Sequence, residues 1–392
     1  MAVELVGMKV LRLFMHDKEK PHSPSYRFND WICSLSLGAV QQASQLCLDL
    51  LGLKCATVTY SYVFEHFRIF EIDMYEHKYI YFALLMLSYD CAYYWFHRIV
   101  HEYHLLWALG HSVHHSGEDY NLACALRQGV GQNFTSWPFY LPLALLGFPP
   151  AAFAAHSQCN TLYQFWVHTE MVGRLGPIEI FFSTPAAHRM HHKPPGNCNY
   201  AGVFIIWDKM FGTYVPETER LDYFGLAGQP QTFNPLKLNS QHFQKMATVK
   251  NAVFAKRAHH KLVFNPLAVF KPMKEMRSGA GSWQLNLSGS RRAKFDGAEP
   301  MSWATMAFFV TTSVVAFVLA YGVLLGSVVG LLDTHETIWA SLAGMAALIA
   351  TSTVSDEGRI GFVMPALIGA VGALGVAKKG DILEALAEKG WV

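Results

Sequence analysis

Charge is scarce in this chain and paired thiols are absent. Of its 392 residues only 15% are Asp, Glu, Lys or Arg, against 52% hydrophobic. With 14% aromatics and a mean hydropathy of +0.18, that balance points away from soluble domains and towards a membrane protein. The formal charge of +2 gives no argument for nucleic acid. Seven cysteines form no CxxC pair and are odd in number, which argues against a disulfide framework or a thiolate zinc site, so they read as reduced thiols. The opening residues lack the basic-then-apolar order of a cleavable signal peptide. No HExxH motif occurs, which removes the usual helix of a zinc hydrolase.

What is present is a series of apolar stretches. Residues 1–28 are polar and mixed. Trp31 to Leu53 is apolar but interrupted by Gln41, Gln42, Gln45 and Asp49, and reads as a weak membrane span or an amphipathic helix. Tyr79 to Val100 is a better span of roughly 20 residues, although Asp90, His97 and Arg98 lie within it; polar groups at that depth usually face protein or function. Trp137 to Ala155 is broken by Pro138, Pro142, Pro149 and Pro150, which predicts a kinked or re-entrant hairpin of short helices. Asn160 to Phe182 continues in the same style, with His168 and Glu170 inside it.

Residues 244–300 change character. Between 245 and 294, Lys245, Lys250, Lys256, Arg257, Lys261, Lys271, Lys274, Arg277, Arg291, Arg292 and Lys294 face a single acid, Glu275, a bias that favours the cytosolic side. Residues 301–392 turn hydrophobic again. Trp303 to Leu332 carries no formal charge, with Gly322, Gly326 and Gly330 at a spacing that permits close helix packing; 337–354 and 360–377 suggest a helical hairpin. The predicted fold is all-α: a multi-pass membrane helical bundle with a catalytic region over 29–243 and a histidine-rich di-metal site facing the cytosol.

The histidines carry the chemistry. Eight of nineteen fall into three boxes: His97 and His101 in HxxxH, then His111, His114 and His115, and His188, His191 and His192, each in HxxHH. Residues at i, i+3 and i+4 share a helix face, so each box offers two or three imidazoles side by side. One such pair is more often surface or satisfied core. Three boxes among apolar helices are not explained that way, because an unpaired buried imidazole costs free energy. Imidazole suits iron, zinc and copper, and eight exceed what one ion holds, which implies two metals. A bis-histidine haem would need only two of the eight. An apolar setting favours iron working with oxygen on the C–H bonds of a lipid.

The boxes, with the phrases "YDCAYYWFHRIVHE", "HHSGEDYNLACALRQ", "LYQFWVHTE", "LGPIE" and "NYAGVFIIWDKMFGTY", resemble the fatty acid hydroxylase and sterol desaturase superfamily of membrane non-haem di-iron enzymes. The likeness runs from about Asn29 to Phe243 and is closest to the branch that acts on alkylglycerols. It implies a multi-pass endoplasmic reticulum enzyme that holds two iron ions. With O2 and tetrahydrobiopterin, the enzyme would hydroxylate the ether-bonded carbon of alkylglycerols and lyso-ether lipids. The resulting hemiacetal would break down to a fatty aldehyde and a glycerol derivative. By the same likeness His97, His101, His111, His114, His115, His188, His191 and His192 are iron ligands, and His168 matches a further histidine between boxes two and three. The stretch "EYHLLWALG" is one residue longer than the family pattern, and Gly110 is a place where a loop or bulge would absorb it. The loop "KPPGNC" is about three residues shorter.

Metal-bound imidazoles normally give their other N–H to a carboxylate or carbonyl. Asp90 shares a helical face with His97 and His101, while Glu102, Glu118, Asp119 and Glu170 lie beside boxes; Glu102 is the favoured partner. Asn160 and Gln164, on one face with His168, satisfy each other or bond to ligands. Tyr200, soon after the third box, is a candidate to orient pterin, substrate or oxygen. Two alternatives stand beside the ether-lipid reading: another di-iron lipid hydroxylase acting on sterols, sphingolipids or fatty acids, and a disabled homologue that keeps metal as a folding staple.

Overall fold

The structure, a computed structural model, describes residues 27–50, 55–71, 78–194 and 196–248 apart from 220, 222 and 227, and two short strands. The expectations for residues 1–26, for most of the basic stretch and for all of 301–392 lie outside the described residues.

Six helices of eight residues or more build the described part: α1 (Phe28–Leu50), α2 (Cys55–Phe67), α3 (Lys78–Glu102), α4 (Pro150–Trp166), α5 (Pro185–His192) and α6 (Pro235–Thr248). Proline opens three of them. It stands at the first position of α4, α5 and α6, where its missing N–H is not needed. The all-α expectation needs one correction: β1 (Phe254–Lys256) and β2 (Leu262–Phe264) pair antiparallel, with Phe254 opposite Phe264 and Ala255 opposite Val263.

The proline-rich stretch after Ser136 is broken as its sequence predicts. A 3-10 turn (Trp137–Tyr140) and one short helix (Leu141–Leu145) lead into a bend at Gly147, whose φ of 92° suits glycine, before α4 begins. This hairpin packs on α2 and α3. Tyr60, Tyr81, Leu85, Tyr89, Tyr140, Leu143, Ala144 and Phe148 form the joint core, in which Tyr89 stacks on Tyr140 at 4.8 Å. A second apolar cluster, Cys33, Leu37, Val113, Phe233 and Leu238, ties α1 and α6 to the chain around His114.

Among the described residues no helix is long and apolar enough to cross a membrane. α3, where a span was expected, is 25 residues long, but Asp90, His97, Arg98, His101 and Glu102 occupy its second half. Its first half instead exposes Tyr79, Ile80, Phe82 and Leu84. One end of α3 is thus apolar on its outside, and the other is polar on its inside.

Candidate metal centre

Nine histidines converge in the interior between α3 and α5, in two groups whose ligand atoms lie within 4.8 Å of one another. The first contains His97, His101, His111, His115 and His191, the second His114, His168, His188 and His192. Every one of the nine is buried. They are the nine residues singled out from the sequence, His168 included, but the boxes do not map one to one onto the groups. In each HxxHH box the i, i+4 pair enters one group and the middle histidine enters the other.

Four rings have a fixed orientation. Their Nδ1–H groups donate to main-chain carbonyls: His97 to Tyr200 at 2.8 Å, His191 to Cys198 at 2.8 Å, His114 to Arg127 at 3.1 Å and His168 to Gln164 at 2.8 Å. In a neutral ring this leaves the Nε2 lone pair facing inward. The consequence is clearest in the second group, where Nε2 of His114 and Nε2 of His168 stand 3.2 Å apart and Nε2 of His188 lies 3.0 Å from that of His168. Two neutral rings whose Nδ1–H is already spent face each other lone pair to lone pair. In the first group Nε2 of His97 meets Nε2 of His111 at 2.8 Å. Nε2 of His101, His191 and His192 is buried without a hydrogen-bond partner. Converging, buried ring nitrogens, among them the His114–His168 pair with no proton to share, fit a cation in each group, and all-imidazole donor sets suit iron, copper or zinc.

Burial also keeps the rings neutral. It pushes His101, His111, His115, His188, His191 and His192 well below the usual imidazole range of about 6.5, helped by the neighbouring imidazoles. His114 is pushed down to about 4, again by burial, against the pull of its bond to the Arg127 carbonyl. Neutral imidazole is the form that ligates a metal.

The carbonyl partners are themselves braced, and here the structure departs from the sequence reading. Glu102, the favoured ring partner, turns instead to Arg98 at 3.0 Å and is 43% exposed, because the i, i+4 position of Arg98 captures it. Asp90 is buried but supports the main chain: it accepts from the amides of Val203 and Phe204 at 2.8 Å each and from the Trp207 indole at 3.1 Å. Asn160 donates to Asp90 at 3.3 Å, and Gln164 donates to Asn160, so that pair satisfies itself. Glu118 and Asp119 engage Arg27. Tyr200 lies beside the first group, its ring centroid 5.3 Å from that of His101.

Two braces were missed. Asp208, fully buried, accepts from the Tyr200 and Ala201 amides at 2.8 Å each and from Thr213, holding the turn that presents the Tyr200 carbonyl to His97. Arg127, also buried, reaches Ser116, Asp30 and Ser34 with its guanidinium while its carbonyl serves His114. A lone Asp inside "IWDKM" and a lone Arg in "ALRQ" carry no spacing signal. Asp208 binds main-chain amides and Arg127 binds side chains from α1 and from beside box two, partners brought together only by the fold.

Residues 82–213 match the family model described as fatty acid hydroxylase. The chain is similar to alkylglycerol monooxygenase of Danio rerio, 47% identical over 217 residues, covering 55% of this chain and 47% of that protein. It is likewise similar to the enzymes of that name from Homo sapiens, 44% identical over 222 residues, covering 56% of this chain and 48% of the other, and from Xenopus tropicalis, 44% identical over 219 residues, covering 55% and 47%. The chain thus spans about half the length of the curated relatives it matches. No solved structure matches.

Proposed function

We propose that this protein is a membrane-bound non-haem di-iron monooxygenase of ether lipids, a reading supported by the match of residues 82–213 to the fatty acid hydroxylase family model. Its reaction is hydroxylation of the ether-bonded carbon of alkylglycerols and lyso-ether lipids by O2, with tetrahydrobiopterin as the two-electron donor. One oxygen atom enters the C–H bond and the other leaves as water. The hemiacetal then opens to a fatty aldehyde and a glycerol hydroxyl. The observation that carries this reading is the pair of adjacent, buried, all-histidine groups, too many donors for one ion.

In this reading His97, His101, His111, His115 and His191 hold one iron and His114, His168, His188 and His192 the other, and the ions supply oxygen activation. The chain's own part is to keep nine rings neutral, dry and aimed. Burial does the first two, and the carbonyls of Tyr200, Cys198, Arg127 and Gln164 do the third for four of the rings. Tyr200, beside the first group, orients the reacting lipid or the pterin. The exposed apolar side chains of α3, with Tyr79 81% and Ile80 63% accessible, support contact with lipid on the outside of the same helix that carries His97 and His101. The endoplasmic reticulum membrane is the proposed location.

The test is aldehyde release from an alkylglycerol by membranes containing the full chain, with iron and oxygen, with and without tetrahydrobiopterin. Aldehyde only with pterin is the expected result. Aldehyde without pterin, or hydroxylation of a sterol or fatty acid in its place, would move the reading to another lipid hydroxylase. Bound iron with no turnover on any lipid would make it a metal-stapled homologue.

A further inference from the structure

Between Glu102 and His115 the chain departs from a plain helix. Tyr103 is extended, at φ −118° and ψ 127°, and ends the run from α3. Helix resumes at His104, and over Trp107–His111 it widens into a π turn in which the Ser112 N–H reaches the Trp107 carbonyl five residues back. Such a turn stores one residue more than an α turn and is rare enough to need a cause. It ends at His111 and leads directly into His114 and His115, and these three rings feed both histidine groups.

The turn is clasped by backbone. A Cβ on Gly129 would lie 2.6 Å from the Gly110 carbonyl oxygen, one on Gly131 would collide with the Leu109 carbonyl, and one on Gly110 would stand 2.9 Å from the Gln132 amide nitrogen. Only glycines allow main chain to lie this close on main chain. On its other side the turn's first residue, Trp107, is wedged against the ligand rings, 4.8 Å from His101 and 5.2 Å from His115 between centroids. The same loop that clasps the bulge begins at Arg127, whose carbonyl holds His114.

We propose that the clasped π turn is the register device of the metal centre. Its stored residue brings His111 and His115 round to His97 and His101 and leaves His114 for the second group, and the glycine clasp prevents the bulge from relaxing into α-helix. The size of the effect decides the matter. Each α-helical residue turns the chain by about 100°, which on a helix about 10–12 Å across moves a ring nitrogen by roughly 8 Å. The ligand atoms of a group lie within 4.8 Å of one another. Losing one residue therefore takes three donors out of range together. This rests on the two groups being metal sites, as proposed above.

The experiment compares the full chain with a Leu109 deletion and with Leu109→Ala, which removes the side chain but keeps the count. Co(II) bound per chain and its visible absorption are read beside far-UV circular dichroism. The wild type and Leu109→Ala are expected to bind two ions with one spectrum, and the deletion to keep its helix signal and bind fewer than one. Gly131→Ala, a milder change, is expected to weaken Co(II) binding at least tenfold and alter the absorption without loss of helix, and it decides the question if the deletion does not fold. Two ions and an unchanged spectrum in the folded deletion, or unchanged affinity and spectrum in Gly131→Ala, would overturn the register role alone. No Co(II) on the wild type would overturn the metal reading and this proposal with it.

Discussion

The two histidine groups are built from the same parts in unequal number. The first takes His97 and His101 from α3, His111 from the end of the π turn, His115 from just beyond it, and His191 from α5; the second takes His188 and His192 from α5, His114, and His168. The two HxxHH boxes are crossed: each gives its i, i+4 pair to one group and its middle ring to the other. What separates the groups is that box one adds a second helical pair to the first, whereas the second receives a single ring from the irregular chain beyond α4. That ring depends on its neighbours, through the Tyr120 hydroxyl on the Val167 carbonyl at 2.9 Å and Arg189 on the Thr169 carbonyl at 2.9 Å. A helix fixes two donors at once, but a loop donor must be held from outside. The second ion should therefore be the weaker one.

The adjacent residues His191 and His192 give the sharpest way to break this comparison. Each belongs to a different group, so His191→Ala and His192→Ala should each leave one ion while lowering turnover below about one hundredth of wild type, because two ions act as a unit. Metal analysis of the purified variants checks the first half and aldehyde release the second. If either variant lost both ions, the groups would not be separate sites. In the wild type a chelator should strip the ions in two phases, and His192→Ala should lack the faster one.

Acid should act on both groups alike. His114 in the folded chain titrates near 4, below the roughly 6.5 of an unfolded imidazole, and burial moves His101, His111, His115, His188, His191 and His192 in the same direction. Between those values the unfolded chain binds more protons than the folded one. Stability is therefore complete above about pH 6.5 and is lost as pH falls towards the folded values, by up to about 1.4 kcal/mol per pH unit for each proton taken up. Melting of the chelator-treated protein between pH 7.5 and 5.5 tests this; a flat profile would mean that the rings are not held neutral.

Much of this centre is legible in the sequence because its donors sit on short helical repeats. Spacing alone finds His97 with His101 and the two HxxHH boxes, and likeness to a family adds His168. Which group each ring joins is not legible, since i, i+3 and i+4 look like one face until a second group sits beside the first. The orienting partners are hidden for a different reason. Each ring oriented through Nδ1 bonds to a carbonyl, which every residue has, so the search for carboxylates led to Glu102, which pairs with Arg98. Ahead of box two the likeness to a family leads to the expectation of a loop or bulge at Gly110, without saying which. The structure has a π turn over Trp107–His111 there. Of the stretches expected to meet the membrane, those before 243 form, among the described residues, no helix long and apolar enough to cross it, and those beyond 301 lie outside the described residues.

The smallest expected effects sharpen the comparison most, because they act on one group through its brace without touching a donor. Asp208 serves the first group: its carboxylate holds the amides of Tyr200 and Ala201, and the Tyr200 carbonyl holds His97. Asp30 serves the second: it holds the Arg127 guanidinium at 3.2 Å, and the Arg127 carbonyl holds His114. Removing such outer partners typically costs 10–100-fold in metal affinity, so Asp208→Asn and Asp30→Asn should each weaken one ion by about that factor and spare the other. Stepwise Co(II) titration of His192→Ala and His191→Ala carrying each change separates the two sites. The expected pattern is crossed: Asp208→Asn weakens the ion left in His192→Ala, and Asp30→Asn the ion left in His191→Ala. Equal weakening of both ions by either change would show that the braces hold the fold as a whole, because a loosened loop would reach the two groups together whereas a loosened carbonyl reaches only the ring bonded to it.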